Sequence, residues 1–327
     1  MELFLVDPGS KIYVRKDSIV ISLKNGKKIQ ITSDVDQIVI ASSRVSITSK
    51  AIRLASKLGI DVVFLDSRGD VVARVCSPII NKTVMARIGQ YSNVNTSLAK
   101  AIIREMIYSK VYNQAQVLKY MGKSRRESRI IEGGWEVEHI AREVLETPID
   151  RVNPEDIMSI EAKAARRYWN MVSELLPGSL GFAGRDPEGT DIFNIALNYG
   201  YGILYAECEK VLMLAGLDPY LGLLHTLKSG KPSLTLDFIE MFRAPVVDKA
   251  LIVNAYRLQQ VKLVNGFLEY ESRKLVASIV LDNLSSTVRS SKRRRALTFK
   301  DHVRLEAQDL ANTFRSGESY LGFRVIF

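Results

Sequence analysis

Cysteine and long apolar runs are scarce in this chain of 327 residues. Its two cysteines, Cys76 and Cys208, exclude a disulfide framework and a thiolate zinc site, and they are consistent with a reducing compartment. No apolar run approaches the ~18 residues that a membrane span requires. The first residues also lack the basic segment of a secretory signal. We therefore expect a cytoplasmic protein.

What the sequence does contain is typical of a globular protein with a polyanionic partner. Hydrophobic residues make up 46% and charged residues 25% of the chain, which excludes disordered and collagen-like classes. At roughly 150 residues per domain, the length predicts two domains. Lysine and arginine number 46 against 36 acidic residues, a net charge of +10 that favours nucleic acid as partner.

Hydrophobic residues alternate with a period of two before about residue 80. The dipeptide Asn25-Gly26 predicts a type I′ turn in a hairpin, and Arg68-Gly69-Asp70 predicts a second turn. One helix interrupts the strands, with Ser49 as its cap and Gly59 at its end. The predicted strands are residues 11–15, 19–23, 28–31, 37–41, 61–65 and 71–75.

The period becomes helical after about residue 93. A long helix is predicted from 96 to 121, closed by Gly122, and another from 191 to 214, ended by Gly216. The sequence therefore predicts an α+β protein, with a small β-rich N-terminal domain and a larger all-α catalytic domain. The predicted limits are 1–80 for the first domain, 81–92 for a linker and 93–327 for the second domain.

A glutamate interrupts the apolar face of one predicted helix. Asn153 as N-cap and Pro154 at the first helical position predict where this helix begins. With 100° per residue, Glu161 falls between Tyr168 and Val172 on the apolar stripe. A carboxylate on a core face is costly unless it is paired or binds a cation. Glu161 is therefore a candidate ligand, although a salt-bridged structural role is equally open.

One histidine has a similar apolar setting. Asp218 and the proline after it predict a short helix, and His225 follows an apolar run near the end of that helix. His139 and His302 lie among charged residues and are predicted at the surface. His225 is thus the candidate histidine of a site, with a satisfied core histidine as the alternative.

Two further carboxylates lie three residues apart on a helix that Ser233 can cap. Asp237 and Glu240 share one helix face within apolar neighbours, where two acids persist only if a cation or a proton offsets their repulsion, and an exposed acidic edge is the alternative. Together with Glu161 and His225 they predict a mixed oxygen and nitrogen site, which is typical of Mg²⁺ or Mn²⁺. A hard divalent ion next to nucleic acid indicates phosphoryl transfer.

Four ordered motifs carry a resemblance to a known family. They are Ser-Ile-Glu-Ala-Lys-Ala-Ala-Arg-Arg-Tyr-Trp at 159–169, Asp-Ile-Phe-Asn-Ile-Ala-Leu-Asn-Tyr-Gly-Tyr-Gly-Ile-Leu-Tyr at 191–205, Ala-Gly-Leu-Asp-Pro-Tyr-Leu-Gly-Leu-Leu-His at 215–225, and Ser-Leu-Thr-Leu-Asp-Phe-Ile-Glu-Met-Phe-Arg-Ala-Pro-Val-Val-Asp at 233–248. They resemble the motifs of CRISPR-associated protein one, the integrase subunit of CRISPR adaptation. The sheet-then-helices order is similar too, so the resemblance covers almost the whole chain.

The resemblance implies a catalytic site and its cofactor. Glu161, His225 and Glu240 would ligate Mg²⁺ or Mn²⁺, with Asp237 close by as a further catalytic residue. Supporting residues at matching motif positions are Asn194, Tyr199 and Arg243.

The resemblance also implies an assembly and a reaction. The chain would form a homodimer through its N-terminal domains, and CRISPR-associated protein two would bridge two dimers into a heterohexamer. The 3′-hydroxyl of a captured DNA fragment would attack a phosphodiester at the end of a CRISPR repeat. The isolated subunit would show metal-dependent nuclease activity and activity on branched DNA.

Two regions are candidates for DNA contact. The loop before Asp191, often arginine-rich in that family, holds one base here, Arg185, and two acids. The C-terminal part of the chain holds a basic block that can neutralise phosphates and release counterions. Its central residues are Lys292, Arg293, Arg294 and Arg295.

Three functions of different classes follow. We favour a metal-dependent DNA integrase and endonuclease. A non-catalytic nucleic-acid-binding scaffold and a junction or RNA nuclease of another pathway are the alternatives. Intact Glu161, His225 and Glu240 disfavour the scaffold, because a scaffold does not require buried acids.

Overall fold

The computed structural model describes residues 2–31, 35–76, 84–152, 154–224 and 230–327. Its N-terminal region is β-rich, as the alternating pattern predicts, and its strands form two four-stranded sheets. The strands are β1 (Glu2–Leu5), β2 (Lys11–Arg15), β3 (Ser18–Ser22), β4 (Lys28–Gln30), β5 (Gln37–Ile40), β6 (Ser46–Ile47), β7 (Asp61–Leu65) and β8 (Val71–Val75), with the helix α1 (Ser49–Lys57).

The strand orders are β1-β5-β7-β8 and β4-β3-β2-β6. β1, β5 and β7 run parallel, and β8 returns antiparallel to β7. The two sheets and α1 enclose a small core that includes Ile12, Ile21, Ile38 and Val62. All six predicted strands are present, and β1 and β6 are additional.

Two local predictions in this region are wrong. The β3–β4 turn is not type I′, because only Gly26 has a positive φ, of 83°. The amide of Gly26 donates to the carbonyl of Leu23 at 3.0 Å, so the chain turns before the left-handed glycine. The cap of α1 is Thr48 rather than Ser49, since the Thr48 backbone is extended and its hydroxyl accepts from the amide of Ala51.

The rest of the chain is mostly helical and also contains two small sheets. The first sheet pairs β9 (Leu263–Val264) with β10 (Phe267–Leu268), and the second contains β11 (Thr287–Ser290), β12 (Arg293–Thr298) and β13 (Val325–Ile326) in the order β12-β11-β13. The helices are α2 (Val84–Asn93), α3 (Ser97–Arg125), α4 (Ser128–Glu146), α5 (Pro154–Leu175), α6 (Ile192–Ala215), α7 (Ser233–Phe242), α8 (Lys249–Val253), α9 (Ala255–Leu258), α10 (Tyr270–Ser285) and α11 (Phe299–Ser316).

The long predicted helix is present as α3, but it does not end at Gly122. A Cβ at this position would lie 2.7 Å from the side chain of Ile131 in α4, so the glycine allows two helices to pack closely. The left-handed residue that ends α3 is Arg126, with φ of 59°. By contrast, α6 ends at the left-handed Gly216 as predicted.

The segment that begins at Asp218 is not helical over the described residues 217–224. The side chain of Gln90, in α2, accepts from the amide of Asp218 at 2.8 Å and donates to the carbonyls of Asp218 and Leu221 at 2.9 Å. These backbone groups are therefore bound to α2 instead of to a following helical turn. α2 itself covers residues 84–92 of the expected linker and packs against α11.

The N-terminal sheet contacts α6 backbone to backbone. The turn at Gly69 lies so close to Gly202 that a Cβ on Gly202 would be 1.8 Å from the carbonyl oxygen of Gly69. Nearby, the guanidinium of Arg74 in β8 donates to the carbonyl of Ala206 at 2.6 Å. These contacts fix α6, which carries several predicted site residues, relative to the sheet. Within the described ranges, none of the helices has both the length and the apolarity of a membrane span.

Candidate metal and nucleic-acid site

Two predicted carboxylates face one lysine at the junction of three helices. Glu161 is in α5, Glu240 is in α7, and Lys110 reaches them from α3. The Nζ atom of Lys110 lies 2.6 Å from Oε1 of Glu161 and 2.5 Å from Oε2 of Glu240. Side-chain exposure is 20% for Glu161 and 7% for Glu240, so both carboxylates lie in a region of reduced solvent screening.

Lys110 stays positively charged despite its burial. Burial alone lowers the pKa of this ammonium, but the carboxylates of Glu240 and Glu161 raise it by more, and the net shift of the pKa is upward. The two carboxylates therefore converge on a single position that holds a positive charge.

Glu240 also pairs with a second cation. The guanidinium of Arg243 lies 2.5 Å from Oε1 of Glu240, one helical turn further along the chain. The same guanidinium packs over the ring of Tyr201, 4.7 Å from its centroid. Arg185 packs on this ring too, at 5.4 Å. Tyr201 thus holds two arginines beside the carboxylates.

Asp237 supports the backbone that leads to the predicted histidine. Its Oδ2 accepts from the amides of Leu223 at 2.6 Å and Leu224 at 3.0 Å. His225 follows directly in sequence and lies outside the described residues. Gly222 permits this close approach, because a Cβ there would lie 3.0 Å from Oδ2 of Asp237. Asp237 therefore positions the chain next to His225.

The donor set fits the hard divalent ion that the sequence predicts. Among the described residues no group of three or more His, Cys, Asp or Glu side chains is arranged to hold a metal. Glu161 and Glu240 nevertheless direct oxygens at one cation position, and oxygen donors are those that Mg²⁺ and Mn²⁺ prefer. These two residues would hold the ion, and His225 is the predicted third ligand.

The loop before α6 is fixed by a buried asparagine. Asn194, 1% exposed, accepts from Arg185 at 3.0 Å and from the amide of Asp186 at 3.0 Å, and it donates to the carbonyl of Gly184 at 2.9 Å. Arg185 also donates to Asn198 at 2.6 Å. Asn194 is therefore a positioning residue, and the predicted DNA contact Arg185 is held in place by it.

Tyr199 lies apart from the carboxylates, against the N-terminal sheet. Its side chain is 1% exposed and packs on the turn at Gly69. Burial raises the pKa of its hydroxyl, which has no hydrogen-bond partner among the described residues. Its role near the site is thus to pack the sheet against α6.

Two cavities open at the site. The smaller, of about 530 Å³, is lined by Lys110, Glu161 and Glu240. The larger, of about 780 Å³, lies between the turn of the N-terminal sheet and α6 and includes Tyr199. Both are lined by the same four residues, Arg185, Pro187, Tyr201 and Arg243. The two arginines therefore stand where the cavities meet.

A buried aspartate accepts a hydrogen bond from Tyr201. Oδ1 of Asp248 accepts from the hydroxyl of Tyr201 at 2.6 Å, and Oδ2 accepts from Tyr168 at 2.9 Å. Burial raises the pKa of Asp248 to about 6, although both tyrosine hydrogen bonds and the nearby arginines lower it. Asp248 ends a π-helical turn, Arg243–Asp248, which contains Pro245.

Asp248 should make stability depend on pH. Its pKa is higher in the folded state than the ordinary 3.8, so the folded state binds more protons between about pH 4 and 6. Wild type should therefore gain about 2 kcal/mol relative to Asp248→Asn as the pH falls from about 7.5 to 4.5. Denaturant unfolding of both proteins at the two pH values measures this difference. A difference that does not change with pH would contradict the raised pKa.

The basic block lies on the hairpin of β11 and β12. Nζ of Lys292 lies 2.9 Å from both carboxylate oxygens of Glu306 and 2.8 Å from Asp309. Arg293 pairs with Asp309 at 2.5 Å. Arg294 and Arg295 are exposed. Of the four residues of the basic block, two are thus paired within the protein, and two face solvent.

Two residues close to the site carboxylates, Lys110 and Asp248, were not predicted from the sequence, and one surface prediction was wrong. Lys110 could have been found, because it lies one turn after Met106 on a helix that is otherwise buried there. Asp248 lies at the end of the fourth motif, but its hydrogen bond with Tyr168 joins residues 80 apart and leaves no local signal in the sequence. His302 was predicted at the surface, but it is only 2% exposed. Its buried ring nitrogen is hydrogen-bonded with the carbonyl of Val288 at 3.1 Å.

The fold is similar to that of two solved structures. A casposase bound to integration product superposes with a TM-score of 0.81 at 23% identity, covering 98% of this chain and 92% of the other. A Cas6-RT-Cas1–Cas2 complex superposes with a TM-score of 0.76 at 19% identity, covering 98% of this chain and 35% of that chain. The architecture is thus a β-rich region followed by a mostly helical one, as in these proteins.

Sequence comparison identifies the family. The model of the family "CRISPR associated protein Cas1" matches residues 3–280. The CRISPR-associated endonuclease Cas1 of Hyperthermus butylicus is 38% identical over 328 residues, which cover 99% of this chain and 98% of the relative. The chain belongs to the Cas1 family, and the resemblance predicted from the four motifs is confirmed.

Proposed function

We propose that this Cas1-family protein is a metal-dependent DNA integrase and endonuclease of CRISPR adaptation. The observation that carries the proposal is the convergence of Glu161 and Glu240 on one cation position in a cavity whose rim is basic. The relative from Hyperthermus butylicus is named an endonuclease, and the casposase of similar fold is bound to an integration product. Both support the same chemistry here.

The proposed reaction exchanges one phosphodiester bond for another. The 3′-oxygen of a captured fragment bonds to phosphorus at the end of a CRISPR repeat, and the bond between that phosphorus and the 3′-oxygen of the preceding nucleotide breaks. The attacking hydroxyl loses a proton and the leaving oxygen gains one, so atoms balance. In hydrolysis, water takes the place of the 3′-hydroxyl.

The protein's own residues bind and orient the two strands. Glu161, Glu240 and His225 would hold Mg²⁺ or Mn²⁺, which when bound stabilises charge on the attacking and leaving oxygens. Arg185 and Arg243, fixed on the ring of Tyr201, would bind the phosphates on either side of the cleavage point.

We infer the partners from membership of the family. DNA is the substrate, as protospacer fragment, CRISPR repeat or branched intermediate. We propose that the β-rich residues 1–80 join two copies, that residues 93–327 form the catalytic domain, and that CRISPR-associated protein two bridges two dimers into a heterohexamer. The similar Cas6-RT-Cas1–Cas2 complex supports Cas2 as a partner.

The test is a strand-transfer assay on a branched DNA that mimics the half-site intermediate. Wild-type protein should rejoin the strands with Mn²⁺ or Mg²⁺ and should lose this activity in chelator. Tight DNA binding without rejoining in either metal, with the partner protein present, would favour a scaffold. Cleavage of RNA or unrelated junctions without strand transfer would favour a nuclease of another pathway.

The two exposed arginines of the basic block, Arg294 and Arg295, should contribute to DNA affinity through counterion release. Because each arginine–phosphate contact changes the salt slope by about 0.9, the double variant Arg294→Ala/Arg295→Ala should lower the slope of log K against log salt by about 2. Fluorescence anisotropy with a duplex at several salt concentrations measures the slope. Removing Arg53 and Lys57, exposed on α1, controls for net charge. An equal slope in wild type and hairpin variant would place the hairpin outside the interface.

A further inference from the structure

Lys110 occupies the position on which the two site carboxylates converge. Its ammonium is within 2.6 Å of both Glu161 and Glu240, and its side chain is 16% exposed. The three residues come from three different helices. A positive charge here therefore holds α3, α5 and α7 together where two carboxylates alone would repel each other.

We propose that Lys110 is an internal counter-ion that competes with the divalent cation for Glu161 and Glu240. The inference rests on the proposed metal site. A divalent ion that binds both carboxylates must displace the ammonium, because two cations cannot share those oxygens at close range. Lys110 thus lowers metal affinity while it keeps the carboxylates paired when no metal is bound.

The cavity contains a second place for the displaced ammonium. Gln114 lies four residues after Lys110 on α3, so both side chains share one helix face. Gln114 is 4% exposed and lines the same cavity, and its Oε1 is buried without a hydrogen-bond partner among the described residues. An unpaired buried carbonyl oxygen is costly, and an ammonium would satisfy it. Lys110 can therefore move from the carboxylates to Gln114.

Calorimetric titration of the DNA-free protein with Mn²⁺ tests the competition. Lys110→Met keeps the length of the side chain and removes its charge, so this variant should bind Mn²⁺ at least about tenfold more tightly than wild type. The control is Lys119→Met, since Lys119 is also a buried lysine of α3 and pairs with Glu138 instead. This control should bind Mn²⁺ as wild type does.

The outcomes separate this inference from the proposed function. If wild type binds Mn²⁺ and Lys110→Met binds it with equal or lower affinity, the competition is overturned and the metal site is retained. No binding in any of the three proteins would overturn the metal site and the competition together. Tight binding by Lys110→Met alone would support both.

A second variant covers the case in which Lys110→Met fails to fold. Gln114→Leu keeps Lys110 but removes the acceptor for its displaced ammonium, so Mn²⁺ should bind about fivefold more weakly than to wild type. Thermal unfolding with and without Mn²⁺ gives an independent readout, because the metal should raise the midpoint less in Gln114→Leu than in wild type. Unchanged affinity and an unchanged midpoint shift would contradict the role of Gln114 and with it the displacement of Lys110.

Discussion

Glu240→Gln should lower the rate of strand transfer by at least about 10³-fold, because removing one carboxylate ligand forfeits several kcal/mol of transition-state stabilisation. The substitution keeps the size of the side chain, which is 7% exposed, so the packing of α7 is retained. It removes the negative charge that Lys110 and Arg243 share. Affinity for duplex DNA should change little, since the removed group is an anion.

The measurement is the rate of rejoining on branched DNA under single-turnover conditions, with duplex affinity measured in parallel. Glu138→Gln is the matched control, because Glu138 is a part-buried glutamate that pairs with Lys119 in the same way. This control should retain strand transfer. A Glu240→Gln protein that is as active as the control would remove Glu240 from the catalytic site.

The helix positions of the site carboxylates could be predicted from the sequence because they depend on periodicity. Glu161 interrupts an apolar stripe, and the structure places it on α5 facing α3 and α7. The terminal glycine of α6, Gly216, was an equally local signal. Elements of this kind are determined within one or two turns of the chain.

What could not be predicted depends on contacts between distant segments. Glycine often ends a helix, but Gly122 lies within α3, where the absence of a side chain allows α4 to pack closely. The π-helical turn Arg243–Asp248 is stabilised by Asn283, which donates to the carbonyls of Pro245 at 3.0 Å and Val246 at 2.6 Å. Asn283 lies far from this turn in the sequence. The residues around the fourth motif therefore give no signal of this contact.

The contact between the N-terminal sheet and α6 is a further long-range feature, and it has a large expected effect. Gly202 lies within the second motif and Gly69 within a predicted turn, and their backbones meet so closely that no side chain fits at either position. Gly69 has φ of 95°, and a Cβ on it would lie 2.9 Å from Cα of Tyr199. The larger cavity of the site is lined by Gly202 and Tyr199. The geometry of that cavity thus depends on the absence of a side chain at both Gly69 and Gly202.

Gly202→Ala should destabilise the protein by about 3 kcal/mol or more, because the added methyl would lie 1.8 Å from a backbone oxygen and the sheet must move away from α6. Helix propensity alone would predict the opposite, since alanine is favoured over glycine within a helix by about 1 kcal/mol. Denaturant unfolding followed by circular dichroism measures the change. Gly178→Ala is the control, as a Cβ there meets nothing within 4 Å. A Gly202→Ala protein as stable as wild type would show that the sheet and α6 can separate at no cost, and the arginines at the meeting point of the two cavities would then not depend on that contact.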